Sequence, residues 1–95
     1  MPYIEKRYRK PLDRGATPAT PGEFAYVLTR RALACLPKVP RFSDYATAMG
    51  EFAEALPEFR VKAYLGARVC AAMEFYRRLI APYEDQKRKE NGDVF

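Results

Sequence analysis

The sequence predicts an all-α fold: a compact bundle of three main helices plus a short C-terminal helix, with extended N- and C-terminal ends. Three segments repeat apolar residues at helical spacing, which is typical of amphipathic helices. Proline and glycine stand at the boundaries of those segments, where helices begin and end. Because the chain has 95 residues, 48% of them hydrophobic, we expect a single folded domain over 1–95.

The first 19 residues are predicted to form an extended basic arm and a loop. This arm holds three prolines and shows no helical period, and it carries five basic residues against two acidic ones. Its first residues, Pro2 to Ile4, are compatible with a short edge strand. The arm precedes a helical body over 20–91 and a tail over 92–95.

The first main helix has a clear predicted start. Thr20 is placed to cap it, Pro21 occupies the first helical position, and Glu23 completes a capping box. Its buried stripe is predicted to contain Phe24, Val27, Leu28, Ala32 and Cys35. Proline at 37 and 40 then ends the helix, because proline cannot continue the hydrogen-bond ladder.

The second main helix is predicted to begin with Ser43 as its N-cap. Its apolar stripe follows helical spacing through Tyr45, Ala48, Met49, Phe52, Ala53 and Leu56. Glu51 and Glu54 lie on the opposite face, so this helix is acidic. Pro57 marks the corner before the next helix, or that helix's first turn.

The third main helix is predicted from about residue 58 to residue 81. Its apolar stripe comprises Leu65, Val69, Ala72, Met73, Tyr76, Leu79 and Ile80, and a neighbouring strip of small residues contains Ala63, Gly66, Ala67 and Cys70. Pro82 clashes with the carbonyl of Arg78 in a regular helix, so we expect a kink or a stop there. A short helix restarts at Pro82 and ends at Asn91-Gly92, with Gly92 at positive φ.

The residue inventory argues against most catalytic chemistry. The chain has no histidine, which removes Ser-His and Cys-His pairs and imidazole metal sites, and its five glycines form no phosphate-binding loop. Cys35 and Cys70 lie in apolar patterns, so we expect reduced core thiols. We therefore expect no catalytic residue, no metal and no cofactor.

No apolar run reaches the length of a membrane span, and no signal peptide is visible at the N-terminus. The sequence thus predicts a protein without a membrane partner that is located in the cytoplasm.

Charge is distributed unevenly along the chain, which has a net charge of +5. Residues 1–14 and 60–81 are basic, and residues 42–58 are acidic. The acidic helix can neutralise the basic one within the molecule, or the basic surface can face an anionic partner. Both interpretations remain open at this stage.

The candidate ligand-binding residues are arginines with tyrosines near them. An aromatic ring can stack a base while a neighbouring guanidinium binds a phosphate. On this ground we select Arg7, Tyr8, Arg9, Arg30, Tyr76, Arg77, Arg78 and Tyr83. The alternative for Arg77 and Arg78 is structural salt bridging, since Glu74 stands one helical turn before Arg78.

The sequence also resembles a family of small uncharacterised proteins of bacteria, archaea and their phages. The shared motifs are Met1–Ile4, Pro21–Glu23 with Tyr26 and Thr29-Arg30, Glu74–Arg78, Ala81–Asp85 and Asn91–Phe95. They cover both ends of the chain and most of the third helix. The resemblance implies a compact helical protein of phage origin, and it carries no catalytic residue to this sequence.

Together these observations predict a non-enzymatic binding protein. The leading hypothesis is a phage or mobile-element accessory protein that sequesters an anionic nucleotide-like ligand at a homo-oligomer interface in the host cytoplasm, with an anti-defence role. One alternative is a protein–protein inhibitor of a host enzyme or defence complex. The other is a non-specific DNA- or RNA-binding protein.

Overall fold

A computed structural model describes residues 4–54 and 61–93. The described residues contain helices and turns and no strand, which confirms the all-α prediction. The helices are α1 (Arg9–Asp13), α2 (Pro21–Ala34), α3 (Phe42–Ala53), α4 (Lys62–Phe75) and α5 (Ala81–Asn91), with a 3-10 turn at Lys6–Tyr8 and a π turn at Tyr76–Ile80. In the described part of the chain, no helix is both long enough and apolar enough to cross a membrane.

The N-terminal arm is more ordered than the sequence predicts. An extended arm is wrong for residues 6–13, which form the 3-10 turn and α1. Pro11 is tolerated because it lies in the first turn, where no ladder donor is needed. Leu12 is buried and holds this short helix against the bundle, and Gly15 follows at φ 99°. The predicted edge strand falls mostly outside the described residues.

Helix α2 begins as predicted. The hydroxyl of Thr20 accepts a hydrogen bond from the Glu23 N–H at 3.1 Å. The Glu23 carboxylate accepts one from Ala19 N–H at 2.9 Å, one residue before the cap. Four α2 residues are fully buried, namely Phe24, Ala25, Leu28 and Ala32. The helix lies between α3 and α4 and forms the centre of the core.

Helix α3 begins two residues earlier than the sequence predicts. Arg41 is its N-cap, so the assignment of Ser43 as the cap is wrong. The Asp44 carboxylate accepts a hydrogen bond from Arg41 N–H at 2.8 Å, and this contact fixes the start of the helix. Tyr45, Ala48 and Phe52 are buried as predicted, whereas Ala53 is exposed. Leu56 and Pro57 lie outside the described residues.

The third predicted helix and the short C-terminal helix are one continuous helix over 62–91. Of the two alternatives predicted at Pro82, a kink or a stop, the stop is wrong, because the π turn accommodates the proline. Ala81 N–H donates to the carbonyl of Tyr76, five residues earlier. This wider turn removes the clash that Pro82 would make with Arg78 in a regular helix. The predicted start near residue 58 lies outside the described residues, and α4 begins at Lys62.

The buried face of α4 differs in part from the predicted stripe. Ala71 and Phe75 are buried, although the predicted stripe contains neither, whereas Val69 is 51% exposed and Met73 is 67% exposed. Ile80, in the π turn, is buried as predicted. Both sides of α4 are apolar, so the spacing alone does not identify the side that meets α2. Cys35 and Cys70 are free thiols, but Cys35 is only half-buried and Cys70 is exposed, so the prediction of two core thiols is wrong.

Aromatic pairs connect the helices at three levels of the bundle. Phe24 packs edge-on against Tyr64 with ring centres 5.4 Å apart, and Phe52 packs against Phe75 at 5.5 Å. Tyr45 meets Tyr83 at 4.8 Å and joins α3 to α5 beyond the π turn. The long helix is therefore held along both of its parts, and the residues of the π turn keep a fixed place beside α2.

The long helix ends at Gly92, as predicted. Its φ is 86°, and its N–H donates to the carbonyl of Arg88 at 2.9 Å. Its ψ of 155° places it in a backbone region that essentially only glycine occupies, instead of the left-handed helical region. The end of the predicted tail, residues 94–95, lies outside the described residues.

Candidate functional site

Three of the predicted arginines surround one cavity where α1, α2 and the long helix meet. We call it the arginine pocket. It has a volume of about 340 Å³. Its lining residues are Arg9, Tyr26, Thr29, Arg30, Leu33, Ala71, Glu74, Phe75, Arg78 and Leu79. The pocket therefore has an apolar floor, formed by the core faces of α2 and α4, and a charged rim.

Each arginine of the rim comes from a different element. Arg9 begins α1, the short helix that the sequence does not predict, and Arg30 lies on α2 one turn after Tyr26. Arg78 belongs to the π turn. The convergence thus depends on two features that cannot be taken from the spacing of charged residues, namely the fold of the arm and the wide turn before Pro82.

Arg9 is the most unusual member of the rim. Its guanidinium lies over the ring of Tyr26, with the central carbon 5.7 Å from the ring centre. Its Nε atom is buried and has no hydrogen-bond partner among the described residues. A buried donor without a partner is rare in folded proteins and commonly marks the place of a water or a ligand.

Tyr26 and Arg30 share one carboxylate. The Tyr26 hydroxyl donates to Asp13 Oδ1 at 2.8 Å, and Arg30 Nε lies 4.0 Å from the same oxygen. Burial raises the pKa of Tyr26, and its hydrogen bond to Asp13 raises the pKa further. The phenol therefore stays neutral near pH 7, and Asp13 fixes its ring below Arg9.

Glu74 organises the other side of the rim. Its Oε1 accepts from Arg77 Nη2 at 2.6 Å and lies 3.0 Å from Arg78 Nε. The hydrogen bond from Arg77 is the main reason that the pKa of Glu74 is lowered. The salt bridges that the sequence offered as an alternative are therefore present. An arginine has five N–H donors, so Arg78 retains donors for a second acceptor.

The structure separates the two arginines of the Arg77-Arg78 pair. Arg78 lines the arginine pocket, whereas Arg77 lines a different groove between α3 and α4. The side chains of adjacent helical residues diverge by about 100°, which explains the separation.

Four further candidates also lie away from the arginine pocket. Arg7 stacks on Tyr8, with the guanidinium carbon 4.8 Å from the ring centre, and Arg7 Nε pairs with Glu5 at 2.9 Å. Tyr76 donates its hydroxyl to Glu84 at 2.6 Å. Tyr83 packs on Tyr45 and carries the ammonium of Lys87 at 5.7 Å from its ring centre.

Sequence reasoning missed Tyr26, Thr29 and Glu74 as pocket residues. The spacing of Tyr26 and Arg30, one helical turn apart, was the available signal for the first of them. Thr29 donates its hydroxyl to the Ala25 carbonyl at 2.8 Å, so it contributes mainly its methyl group to the lining. The sequence also indicated the Glu74–Arg78 pair, but not the cavity beside it.

The described ranges, 4–54 and 61–93, contain no cluster of three or more side chains able to hold a metal ion. Among the lining residues, the chemistry of the pocket comes from guanidinium groups, one neutral phenol and one paired carboxylate. Such a set suits the recognition of an anion.

Comparison with known protein families gives a match over nearly the whole chain. A family model described as a domain of unknown function (DUF6899) matches residues 1–94. No curated protein and no solved structure matches the chain significantly.

Proposed function

The chain belongs to this family, DUF6899, and we propose that it is a non-enzymatic protein that binds a phosphate-bearing, nucleotide-like ligand in the arginine pocket. One observation carries the proposal: Arg9, Arg30 and Arg78 converge on a single cavity, and the buried Nε of Arg9 has no partner within the described residues. Arginine is the side chain best suited to bind phosphate oxygens, because its planar fork donates two parallel hydrogen bonds.

The shape of the pocket favours an organic phosphate. Its volume of about 340 Å³ lies at the lower end of the range for small-molecule sites. Leu33, Phe75 and Leu79 give the floor an apolar surface that a bare inorganic ion would not use. A localised cavity with a charged rim suits a mononucleotide-sized ligand better than a continuous strand of nucleic acid.

Binding without catalysis is the proposal because no described group in the pocket is prepared for proton transfer. A general base needs a pKa near the working pH. The pKa of Glu74 is lowered by its arginine partner, and the pKa of Tyr26 is raised. Both shifts move the pKa away from 7. Near neutral pH the Glu74 carboxylate therefore stays charged and the Tyr26 hydroxyl keeps its proton when a ligand binds.

In the setting of a phage or a mobile element, such a protein would act by removing a nucleotide from solution in the host cytoplasm. Inhibition of a host enzyme or of a defence complex through direct contact is the second candidate. The exposed apolar surface of α4 favours it, because patches of this kind mark protein interaction sites.

The test is isothermal titration calorimetry of the purified chain with a panel of nucleoside monophosphates, nucleoside diphosphates, cyclic dinucleotides, inorganic phosphate and a short DNA oligonucleotide. We expect saturable binding of at least one nucleotide. Arg78→Gln should weaken it by about tenfold or more, because one charge-assisted phosphate contact is lost. Arg77→Gln is the matched control, since it removes an adjacent arginine that also pairs with Glu74, and it should bind normally.

Three outcomes would overturn the proposal. If the wild type binds no nucleotide, the arginines are structural and the protein-inhibitor hypothesis replaces ours. If Arg77→Gln and Arg78→Gln lose affinity equally, the arginine pocket is not the site. If only DNA binds, with an affinity that falls steeply with salt, the protein is a polynucleotide binder.

A further inference from the structure

The outward face of α4 is apolar although it points away from the core. Val69 is 51% exposed, Met73 is 67% exposed and Tyr76 is 42% exposed, and Gly66 is exposed one turn earlier. We call these four residues, three on α4 and Tyr76 at the start of the π turn, the α4 seam. Soluble proteins rarely leave such a row uncovered without using it for association.

The spacing within the seam points to a helical partner. Gly66, Val69, Met73 and Tyr76 are separated by three, four and three positions, which is the spacing of the contact residues in paired helices. This spacing is also symmetric about residue 71. An antiparallel copy of the same helix would therefore place its seam in register with this one.

We propose that α4 pairs with α4 of a second copy of the chain, antiparallel and related by a two-fold axis near residue 71. In such an interface each contact occurs twice. Gly66 then faces Tyr76 of the second copy, and Val69 faces Met73 of the second copy. The smallest residue of the seam meets the largest, so the two surfaces are complementary in shape.

Within the described part of the chain, Gly66 has no packing reason. A methyl group added to its α-carbon would meet no described atom within 4 Å. Glycine inside a helix is unfavourable, and nothing in the described contacts compensates for it. The ring of Tyr76 from a second copy would occupy that space.

Charge complementarity favours a second copy over an unrelated partner. Lys62 lies on the same face of α4, one turn before Gly66, and the register places it opposite residue 80 of the second copy. Glu84 follows four residues later, about 6 Å along the helix. Its Oε1 accepts a hydrogen bond from the Tyr76 hydroxyl, and as a carboxylate it has further acceptor positions for an ammonium, whereas Asp85 already pairs with Arg88 at 3.4 Å. Lys62 and Glu84 are both exposed, and symmetry makes their attraction occur at both ends of the pair.

The groove between α3 and α4 lies beside this seam. It has a volume of about 870 Å³ and shares Val69, Met73 and Tyr76 with the seam, while Met49 and Phe52 line its opposite wall. A second copy seated on the seam would cover the α4 wall of this groove. One contact therefore covers both the exposed seam and the α4 wall of the adjoining groove.

Sedimentation equilibrium over a concentration series tests the pairing. We expect a reversible dimer for the wild type. Val69→Glu should weaken it by about thirtyfold or more, as is typical of a change at the centre of an interface. Val39→Glu is the matched control, because Val39 is also exposed but lies outside the seam, and it should dimerise normally. Nucleotide binding should be equal in both variants, so this test is independent of the arginine pocket.

Cys70 supplies a second measurement, because it lies one residue from the proposed two-fold axis and is exposed. A short bismaleimide should link two copies through it, and the product should disappear in Cys70→Ser and persist in Cys35→Ser. Gly66→Ala should raise the melting temperature of the monomer while weakening the dimer.

A monomer at high micromolar concentration would overturn the proposal. So would a dimer that Val69→Glu and Gly66→Ala leave intact, since the pairing would then use another surface. A monomer that binds a different protein through Val69 and Met73 would show that the seam serves a host partner.

Discussion

The two faces of the long helix have similar composition and opposite surroundings. The inner face packs Ala71 and Phe75 against α2 and forms the floor of the arginine pocket. The outer face presents Val69 and Met73 to solvent. The comparison teaches that apolar character does not decide what a helix face does. The inner face builds a site because α1, α2 and the π turn surround it with arginines from three different elements. The charged residues beside the outer face, Arg68, Glu74 and Arg77, all belong to the long helix itself.

The largest difference between the two faces is expected in the free energy of unfolding when one residue on each face is truncated. Phe75→Ala should lower the free energy of unfolding by about 3–5 kcal/mol, because it leaves a cavity beside Phe52 in the core. Met73→Ala should change it by no more than about 0.5 kcal/mol, as expected for a surface position. Urea denaturation at low protein concentration measures both. Equal losses would show that the outer face is buried in the folded monomer.

Glu74 lies between the two faces. The dependence of stability on acid pH tests its ion pairs with Arg77 and Arg78. Arg77 holds the pKa of Glu74 below its usual value, so the carboxylate stabilises the folded state at neutral pH. That contribution is present above the unfolded-state pKa, near 4.5. It is lost as the pH falls through the lowered pKa of the folded state. Denaturation between pH 3 and 6 should therefore show a shallower loss of stability for Glu74→Gln than for the wild type. Identical pH profiles would contradict the ion-pair arrangement.

The smallest expected difference lies between Tyr26 on α2, in the arginine pocket beside the inner face, and Tyr76 on the outer face. The pKa of Tyr26 is raised mainly by burial, whereas the pKa of Tyr76 is raised mainly by its hydrogen bond to Glu84. Ultraviolet titration of the phenols should show that Glu84→Gln returns Tyr76 towards its ordinary pKa. Asp13→Asn should return Tyr26 only part of the way, because burial remains. A full return in Asp13→Asn would mean that Tyr26 is well solvated.

The same comparison explains which predictions from the sequence succeed. Helix α2 was largely predictable because its capping residues and its single apolar stripe agree. The cap is present, and Phe24, Leu28 and Ala32 of the predicted stripe are buried. Val27 and Cys35, which were also predicted to be buried, are only half-buried. The start of α3 was missed by two residues, because the Ser43 hydroxyl is a plausible cap, whereas in the structure the Asp44 carboxylate accepts from the Arg41 N–H and sets an earlier start. On α4 the periodicity identified a genuine stripe, part of which forms the outer face.

The candidate site was predictable only in its chemistry. Arginine near tyrosine is a local signal, and it identified Arg9, Arg30 and Arg78 together with residues that lie elsewhere. Which arginines meet depends on contacts between elements far apart in the chain. Arg9 reaches the pocket because Leu12 is buried and holds α1 against the bundle. Neither this contact nor the hydrogen bond from Ala81 to the Tyr76 carbonyl is visible in residue spacing.

The π turn has a consequence for how relatives of this chain should be aligned. It contains one residue more than an α-helical segment of the same rise, so everything after it is rotated by about 100°. The contact of Tyr83 with Tyr45 depends on that rotation. A homologue with a one-residue gap between positions 76 and 80 would keep the same motifs on both sides and yet turn its C-terminal helix away from α3. In this segment the number of residues should therefore be conserved as strictly as their identity.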